Sequence, residues 1–176
     1  MPEVRVTGGE LNGRRLFVPK SGVRPTTSKV REAVFSMLGS VEGERVLDLF
    51  SGSGALGIEA LSRGAEHAVL VDSKPAASRR NVDDLRLDEV AQVVRADAVG
   101  FLRRARRGSF DLVLCDPPYR LADRLGADLV QLIPGALAAG GRVMMETSPK
   151  RPLALALPLM TERAYGDTLI RIHADE

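Results

Sequence analysis

From residue 44 onward the chain repeats one unit: a short apolar run, a glycine or an acid, then apolar residues at helical spacing. Arg45-Val-Leu-Asp48-Leu49 precedes a helix over 55–63 that Gly64 ends. Ala68-Val-Leu-Val-Asp72 precedes a helix over 75–87 with a proline near its first turn. Ala91–Val94 precedes a helix that Asp97 can N-cap and that carries Ala98, Phe101, Leu102 and Ala105. Phe110–Cys115 precedes a helix over roughly 121–132, and Gly140-Gly141 leads into a strand over Arg142–Glu146. A Pro-punctuated stretch and a final strand, Thr168–His173, follow. Alternation of this kind predicts an α/β chain with a doubly wound parallel sheet. Ahead of it, residues 4–18 read as a hairpin, with Gly8-Gly9 and Asn12-Gly13 supplying turn chemistry. So short a hairpin is unstable alone and must dock on the main body. Thr27 or Ser28 can then cap a helix whose Val30, Val34, Met37 and Leu38 make one apolar stripe, ended by Gly39. The expected organisation is an extension over 1–40 and a main domain over 41–176.

The fourth of these strands ends abruptly. Phe-Asp-Leu-Val-Leu-Cys-Asp116-Pro117-Pro118-Tyr119 cannot continue as a strand, because two prolines in a row donate nothing to a sheet ladder. An acid, two prolines and an aromatic ring therefore sit at the carboxyl end of a central strand, where open α/β sheets bind ligands. Asp116 offers carboxylate acceptors, Pro117 a carbonyl acceptor, Pro118 stiffness and Tyr119 a flat face. Two acceptors beside a stacking ring suit a planar group carrying an exocyclic –NH₂, such as a nucleobase. A plain Pro-Pro turn is the structural alternative for these four residues taken alone.

The first strand leads into Asp48-Leu-Phe50-Ser-Gly52-Ser53-Gly54-Ala-Leu-Gly57, which satisfies G-x-G-x-x-G between a strand and a helix. Asp72, followed by Ser73, ends the next strand at the position of an acid that binds a ribose hydroxyl pair. The pattern alone does not choose between a dinucleotide and another adenosine cofactor. Three features favour S-adenosylmethionine. Asp48 would repel a diphosphate and attract a cationic amino acid moiety. Asp97-Ala98 closes the third strand where an adenine amino group can be contacted. Asp116–Tyr119 lies where a methyl acceptor would sit. Capping of a helix or turn is the structural role open to Asp48 and Asp97.

Composition narrows the classes further. An apolar fraction of 44% with 27% charged residues is that of an ordinary globular chain, and no run approaches the ~18 apolar residues of a membrane span. Met-Pro-Glu-Val-Arg lacks the apolar core of a secretory signal, so a cytoplasmic enzyme is expected, with a monomer as the default. One cysteine and two isolated histidines leave no basis for a disulfide, and no metal site is expected. Cys115 reads as a core residue. The net charge of +2 is unevenly spread: residues 1–40 hold seven basic against three acidic side chains. Arg5, Arg14, Arg15, Arg24, Thr26, Lys29 and Arg31 are accordingly candidates to grip a phosphate-rich partner, with Lys29 and Arg31 expected off the apolar stripe of their helix. The basic run 101–107 reads rather as a solvated helix face.

Asp48–Gly57 resembles motif I of the class I methyltransferases, and Asp116-Pro117-Pro118-Tyr119 resembles their amino-methylating motif IV. Arg5-Val-Thr-Gly8-Gly9, Gly13-Arg14-Arg15-Leu16 and Arg24-Pro-Thr26-Thr-Ser-Lys29-Val-Arg31-Glu-Ala-Val-Phe35 resemble the RsmD-type family of bacterial 16S rRNA (guanine-N2) methyltransferases. The resemblance implies a Rossmann-like methyltransferase sheet with an RNA-facing N-terminal extension and S-adenosylmethionine as cofactor. It implies 16S rRNA as partner, within the small ribosomal subunit or an assembly intermediate, and methylation of guanine 966. Asp48, Gly52, Gly54, Asp72, Asp97 and Ala98 would hold the donor, with Phe50, Ser53, Gly57, Ser73 and Asp116 beside them, and Asp116–Tyr119 would hold the acceptor. Three other readings share parts of the pattern. An adenine-N6 methyltransferase would use the same Asp-Pro-Pro-Tyr chemistry, and a nicotinamide-dependent oxidoreductase the same glycine loop. A non-catalytic RNA-binding protein could carry the same basic end.

Overall fold

The computed structural model describes residues 3–20 and 25–175. Its frame is a seven-stranded sheet built from β3 (Arg45–Leu49), β4 (His67–Asp72), β5 (Ala91–Arg95), β6 (Phe110–Cys115), β7 (Leu137–Thr147), β8 (Leu159–Tyr165) and β9 (Thr168–Ala174). The order is β5-β4-β3-β6-β7-β9-β8. The first five strands are parallel, whereas β9 runs antiparallel to both β7 and β8. The chain leaves β3 toward β4 and returns to β6 on β3's other side. This reversal opens a crevice at the carboxyl ends of β3 and β6.

Helices cover both faces, and for that reason the central strands are continuously apolar. Successive residues face opposite sides. Val46, Leu112, Leu114 and Met144 pack with Val34, Phe35 and Leu38 of α1 (Ser28–Leu38), Leu56 and Ala60 of α2 (Ala55–Ser62) and Val82 of α3 (Ala76–Asp84). Leu47, Leu49, Val113, Cys115 and Met145 face the other way. They meet Val99 and Leu102 of α4 (Ala98–Arg104) and Leu129 and Ile133 of α5 (Tyr119–Ala136). Cys115 is fully buried as expected, and burial pushes its thiol pKa up. No helix among the described residues is long and apolar enough to cross a membrane.

The N-terminal hairpin, β1 (Val4–Arg5) and β2 (Arg15–Leu16), pairs antiparallel with Val4 opposite Leu16. Its Val4, Val6 and Leu16 pack on Ala55 and Ile58 of α2 and on Leu85. Polar contacts fix the docking. Glu10 N–H donates to the Ser62 carbonyl at 2.8 Å and Leu11 N–H to Ser62 Oγ at 2.9 Å. At Gly9, with φ +78°, a Cβ would stand 1.8 Å from the Ser62 carbonyl oxygen, so the close approach requires glycine.

Three expectations need correction here. The buried stripe of α1 is Arg31, Val34, Phe35 and Leu38, with Val30 and Met37 only half-buried beside it. The strand expected from Arg142 begins at Leu137, directly after α5, because Leu137 pairs with Phe110 ahead of the irregularity near Gly140-Gly141. The stretch before the last strand also contains a strand, β8. It is an edge strand, exposed along most of its length, so it carries no core-facing alternation to read.

Candidate active site

The site is built where β3, β4, β5, β6 and β7 end. After β3 the chain makes a tight loop in which Phe50, though not glycine, sits at φ +59°, followed by Gly52 at +55° and Gly54 at +81°. Strain at a non-glycine residue marks a loop held in place by its surroundings. One such tie is Asp72 at the end of β4. One oxygen accepts Gly52 N–H at 2.8 Å and the other accepts Lys74 N–H at 2.8 Å, and each oxygen keeps a further lone pair. Another is Asn81, whose amide donates to the Ser53 carbonyl at 2.8 Å and to the Phe17 carbonyl at 2.9 Å. The glycine loop is thus tied to the N-terminal segment through one side chain of α3.

Asp48 is 1% exposed and accepts the Gly57 N–H at 2.9 Å, within the first turn of α2. Gly57 permits that contact, since a Cβ there would lie 2.1 Å from Leu70 Cδ2. Burial raises the Asp48 pKa to about 8; the Gly57 bond opposes the rise, and the charges of Asp116 and Asp72 add to it. Among the described residues Asp48 forms no ion pair, and a buried carboxyl of that kind is suited to receive a cationic group. Above the loop there is room for one: a Cβ at Gly52 would meet nothing within 4 Å. Ser51 Oγ, close by in sequence, is buried without a hydrogen-bond partner among the described residues. Asp97 caps α4 by accepting the Gly100 N–H at 2.7 Å, and it remains exposed beside buried Ala98. Ser73 is exposed next to Asp72. These residues fit a ligand with an ammonium group at one end and an adenosine at the other.

β6 ends at Cys115 and α5 begins at Tyr119, so Asp116, Pro117 and Pro118 form the whole connection. Tyr119 is 54% exposed, and its hydroxyl donates to the Asp167 carbonyl at 3.1 Å, in the β8–β9 turn. A ring held at its tip with an open face is a stacking surface. Thr26 Oγ1 reaches Asp116 Oδ2 at 2.9 Å and Glu146 Oε2 at 3.3 Å. Glu146 stands at the end of β7, where sequence reasoning placed no site residue. The available signal was an acid at a strand's carboxyl end, the same signal given by Asp72 and Asp116. Burial, foremost, pushes the pKa values of both Asp116 and Glu146 upward, and the Thr26 hydroxyl opposes the rise in each.

The basic candidates divide. Arg31, expected to be free on the outside of α1, is fully buried. Its Nε donates to Glu59 Oε2 at 3.2 Å, its Nη1 to the Thr26 carbonyl at 3.2 Å and its Nη2 to the Arg5 carbonyl. The guanidinium pins α1, the hairpin and α2 together and is unavailable to a partner. Thr26 faces inward to Asp116 rather than outward to phosphate. Arg5 is engaged by Glu3 at 2.6 Å and by the Gly13 carbonyl at 2.7 Å, and Arg15 pairs with Glu3. Arg14, Arg15 and Lys29 are exposed. Arg24 lies outside the described residues. In the 101–107 run, Arg103 is exposed and pairs with Asp128 at 3.5 Å.

Comparison with known proteins bears on this arrangement. Residues 4–174 match the profile of the family described as Conserved hypothetical protein 95. Ribosomal RNA small subunit methyltransferase D of Escherichia coli (strain K12) is 43% identical over 123 residues, covering 67% of this chain and 61% of that protein's length. The protein of the same description from Haemophilus influenzae is 34% identical over 185 residues, covering 97% of this chain and 93% of that one. Among solved structures, the Escherichia coli protein yhhF superposes with a TM-score of 0.81 at 33% identity, covering 99% of each chain. A Thermus thermophilus protein superposes with a TM-score of 0.77 at 34% identity, covering 97% of this chain and 98% of that one. With its glycine loop and Asp-Pro-Pro-Tyr turn set on a Rossmann-like methyltransferase sheet, the chain belongs to the Conserved hypothetical protein 95 family, the RsmD-type family whose motifs it carries.

Proposed function

We propose that this chain is an rRNA methyltransferase that uses S-adenosylmethionine to methylate the exocyclic N2 of a guanine in 16S rRNA, guanine 966 in the family's usual numbering. The observation that carries the reading is the juxtaposition of two ligand positions across β3 and β6. Asp48, buried and without an ion pair among the described residues, precedes the glycine loop, and Asp116-Pro117-Pro118-Tyr119 follows the neighbouring strand. Family membership and the description of the relatives as small-subunit rRNA methyltransferases support the methyl transfer and its rRNA target.

S-adenosylmethionine, when bound, supplies an electrophilic methyl group on a sulfonium. Asp48 would hold its amino group, Asp72 and Ser73 its ribose, Asp97 and Ala98 its adenine, and Phe50, Gly52, Ser53, Gly54 and Gly57 would shape the loop around it. The acceptor needs a different kind of help. The guanine N2 lone pair is delocalised into the ring, which makes it a poor nucleophile. Asp116 and the Pro117 carbonyl each accept one N2 hydrogen, which directs the lone pair out of the ring plane toward the donor side. Tyr119 stacks on the base, which must leave its own stack to arrive there. The gain is positioning and preorganised electrostatics, with no covalent enzyme intermediate. Cys115 is buried and its thiol disfavoured as a nucleophile. Arg14, Arg15, Arg24 and Lys29, on the 1–40 extension, grip rRNA phosphates, and the assembled small subunit presents the base to a monomeric enzyme.

The test is methyl transfer from labelled donor to small subunits lacking the modification, followed by digestion and mapping of the labelled nucleotide. Label on guanine N2 is the expected result. Label on adenine N6, or none on rRNA, overturns the reading.

A further inference from the structure

The acids at the carboxyl ends of β3, β4 and β5 are held by nearby backbone N–H groups. Asp48 accepts from Gly57, Asp72 from Gly52 and Lys74, and Asp97 from Gly100. Asp116 is followed by Pro117 and Pro118, which have no N–H to offer, and among the described residues no backbone N–H donates to its carboxyl. A residue before proline is restricted to extended backbone, so the Asp116 main chain is fixed while its side-chain torsions can still turn. The donor comes from another element. Thr26 Oγ1 lies 2.9 Å from Asp116 Oδ2 and 3.3 Å from Glu146 Oε2. A threonine hydroxyl has one hydrogen to give, and the shorter contact assigns it to Asp116. Oδ2 is thereby engaged, and Oδ1 is left for an incoming amine hydrogen. Thr26 is itself held from behind. Its carbonyl accepts Arg31 Nη1 at 3.2 Å, and the same buried guanidinium reaches Glu59 at 3.2 Å and the Arg5 carbonyl. Thr27, next in the chain, caps α1 by accepting the Val30 N–H at 3.3 Å. The hydroxyl projects from a braced backbone, which is what holding a partner's rotamer requires.

We propose that Thr26 is a positioning residue for methyl transfer, its hydroxyl setting the rotamer of the Asp116 carboxylate that receives the acceptor amine. The proposal rests on the reading of the site given above. Asp116 is the catalytic residue, since it touches the acceptor N2, and Thr26 acts through it. The hydrogen bond does two things. It removes rotational freedom that the carboxylate would otherwise lose when the base arrives. It also favours the ionised form, the form that only accepts. Burial pushes the Asp116 pKa up; the Thr26 hydroxyl opposes this most, and Glu146 on β7 next. The other titratable groups facing Asp116 add no positive charge: Asp48 on β3 is acidic and Cys115 on β6 is a buried thiol. Residue 26 belongs to the 1–40 extension, so the part of the chain that grips rRNA also sets the acid that holds the base.

Thr26→Val and Thr26→Ser test this in the full chain. Valine keeps the branched shape and the carbonyl that Arg31 holds but has no hydroxyl; serine restores it. Single-turnover transfer to small subunits lacking the modification should slow about 10–100-fold in Thr26→Val at pH 7.5, the range for one hydrogen bond to a charged group, and stay within about threefold of the parent in Thr26→Ser. The loss in Thr26→Val should be greater at pH 6 than at pH 8.5, because Asp116 then takes up a proton more readily. Calorimetric binding of S-adenosylhomocysteine and the affinity for small subunits should be unchanged. Serine as slow as valine, or a valine loss equal at both pH values, overturns the proposal, because disturbed packing gives both. Weaker S-adenosylhomocysteine binding, or weaker small-subunit binding with an unchanged transfer rate, also overturns it, by placing Thr26 at the donor or at a phosphate. Carboxyl carbon-13 NMR of the ligand-free protein separates this proposal from the substrate reading. Asp116 should titrate at higher pH in Thr26→Val than in the parent or in Thr26→Ser, and identical titration overturns the proposal even where transfer is active. A shifted titration in a protein whose parent form is inert toward rRNA supports the Thr26–Asp116 contact and overturns the rRNA reading alone.

Discussion

Two carboxyl centres, the buried Glu59 and the half-buried pair Asp116 and Glu146, are treated in opposite ways. Glu59 of α2 is fully buried, and every lone pair is answered. Arg31 reaches it at 3.2 Å and Arg63 at 3.0 Å, Thr7 donates its N–H at 2.9 Å, and Thr7 Oγ1 donates at 2.7 Å. Asp116 and Glu146 have one threonine between them, a second at the margin, and no ion pair among the described residues. The first centre joins the hairpin, α1 and α2 into one unit. The second leaves acceptor capacity open and its charge free to change. Compensated charge does structural work, whereas charge left without a counterion is available to chemistry.

The largest effect expected from this contrast is on stability at the first centre. Arg31→Ala should cost roughly 3–5 kcal/mol in urea unfolding, since it leaves a buried carboxylate short of a counterion. A decrease under ~1 kcal/mol would place Arg31 with the surface arginines. At the second centre the effect should fall on rate. Asp116→Ala should lower kcat by about 10²–10³, the range for loss of one preorganised hydrogen-bonding group, with thermal stability at pH 7.5 undiminished. A melting temperature that fell as far as for Arg31→Ala would erase the distinction between the two centres.

A smaller effect concerns pH. Asp48 has a folded-state pKa of about 8, above the value of 3.8 for an unstrained aspartate. The native state therefore binds the proton that the unfolded state releases. Its contribution to stability is complete below about pH 4 and is lost as pH rises toward 8. Asp48→Asn should flatten this decline, melting higher than the parent at pH 8 and no higher at pH 4, and should weaken S-adenosylhomocysteine binding. The opposite slope would mean that Asp48 has a cation partner. The smallest effect is at the surface. Replacing Arg14 and Arg15 with alanine should change stability by less than ~0.5 kcal/mol and lower the salt dependence of rRNA binding by about one unit for each phosphate no longer neutralised.

What the sequence made legible follows the same division. Strands β3, β4 and β6 are covered on both faces, so their apolar runs announce themselves, and the boundaries of β6 agree residue for residue with the expectation. Asp97 and Thr27 carry local capping signals, and both cap helices as expected. Glu146 was not legible because its meaning depends on β7 lying next to β6. That neighbour relation is a property of the sheet and leaves no mark at Met145-Glu146-Thr147. Arg31 was misread by residue type rather than by spacing. Residues 31, 34, 35 and 38 form a regular helical stripe, and its first member is charged because it meets Glu59. Edge strand β8 has one hydrogen-bonded neighbour, β9, and no buried face, so alternation had nothing to report.

The tether from Tyr119 to the β8–β9 turn has a consequence for how the molecule opens. β8 is held to the sheet through β9 alone and exposes Leu159 and Met160, which makes this hairpin the natural first segment to detach in a partial unfolding event. Detachment would remove the Asp167 carbonyl from Tyr119 and Thr168 from Glu146 while β3, β4 and β5 stay paired. Amide exchange in β8 and β9 should then proceed through an opening less costly than global unfolding, with β3 and β4 protected until the whole chain unfolds. The two halves of one crevice would differ in local free energy, the nucleobase side yielding first and the adenosine side last.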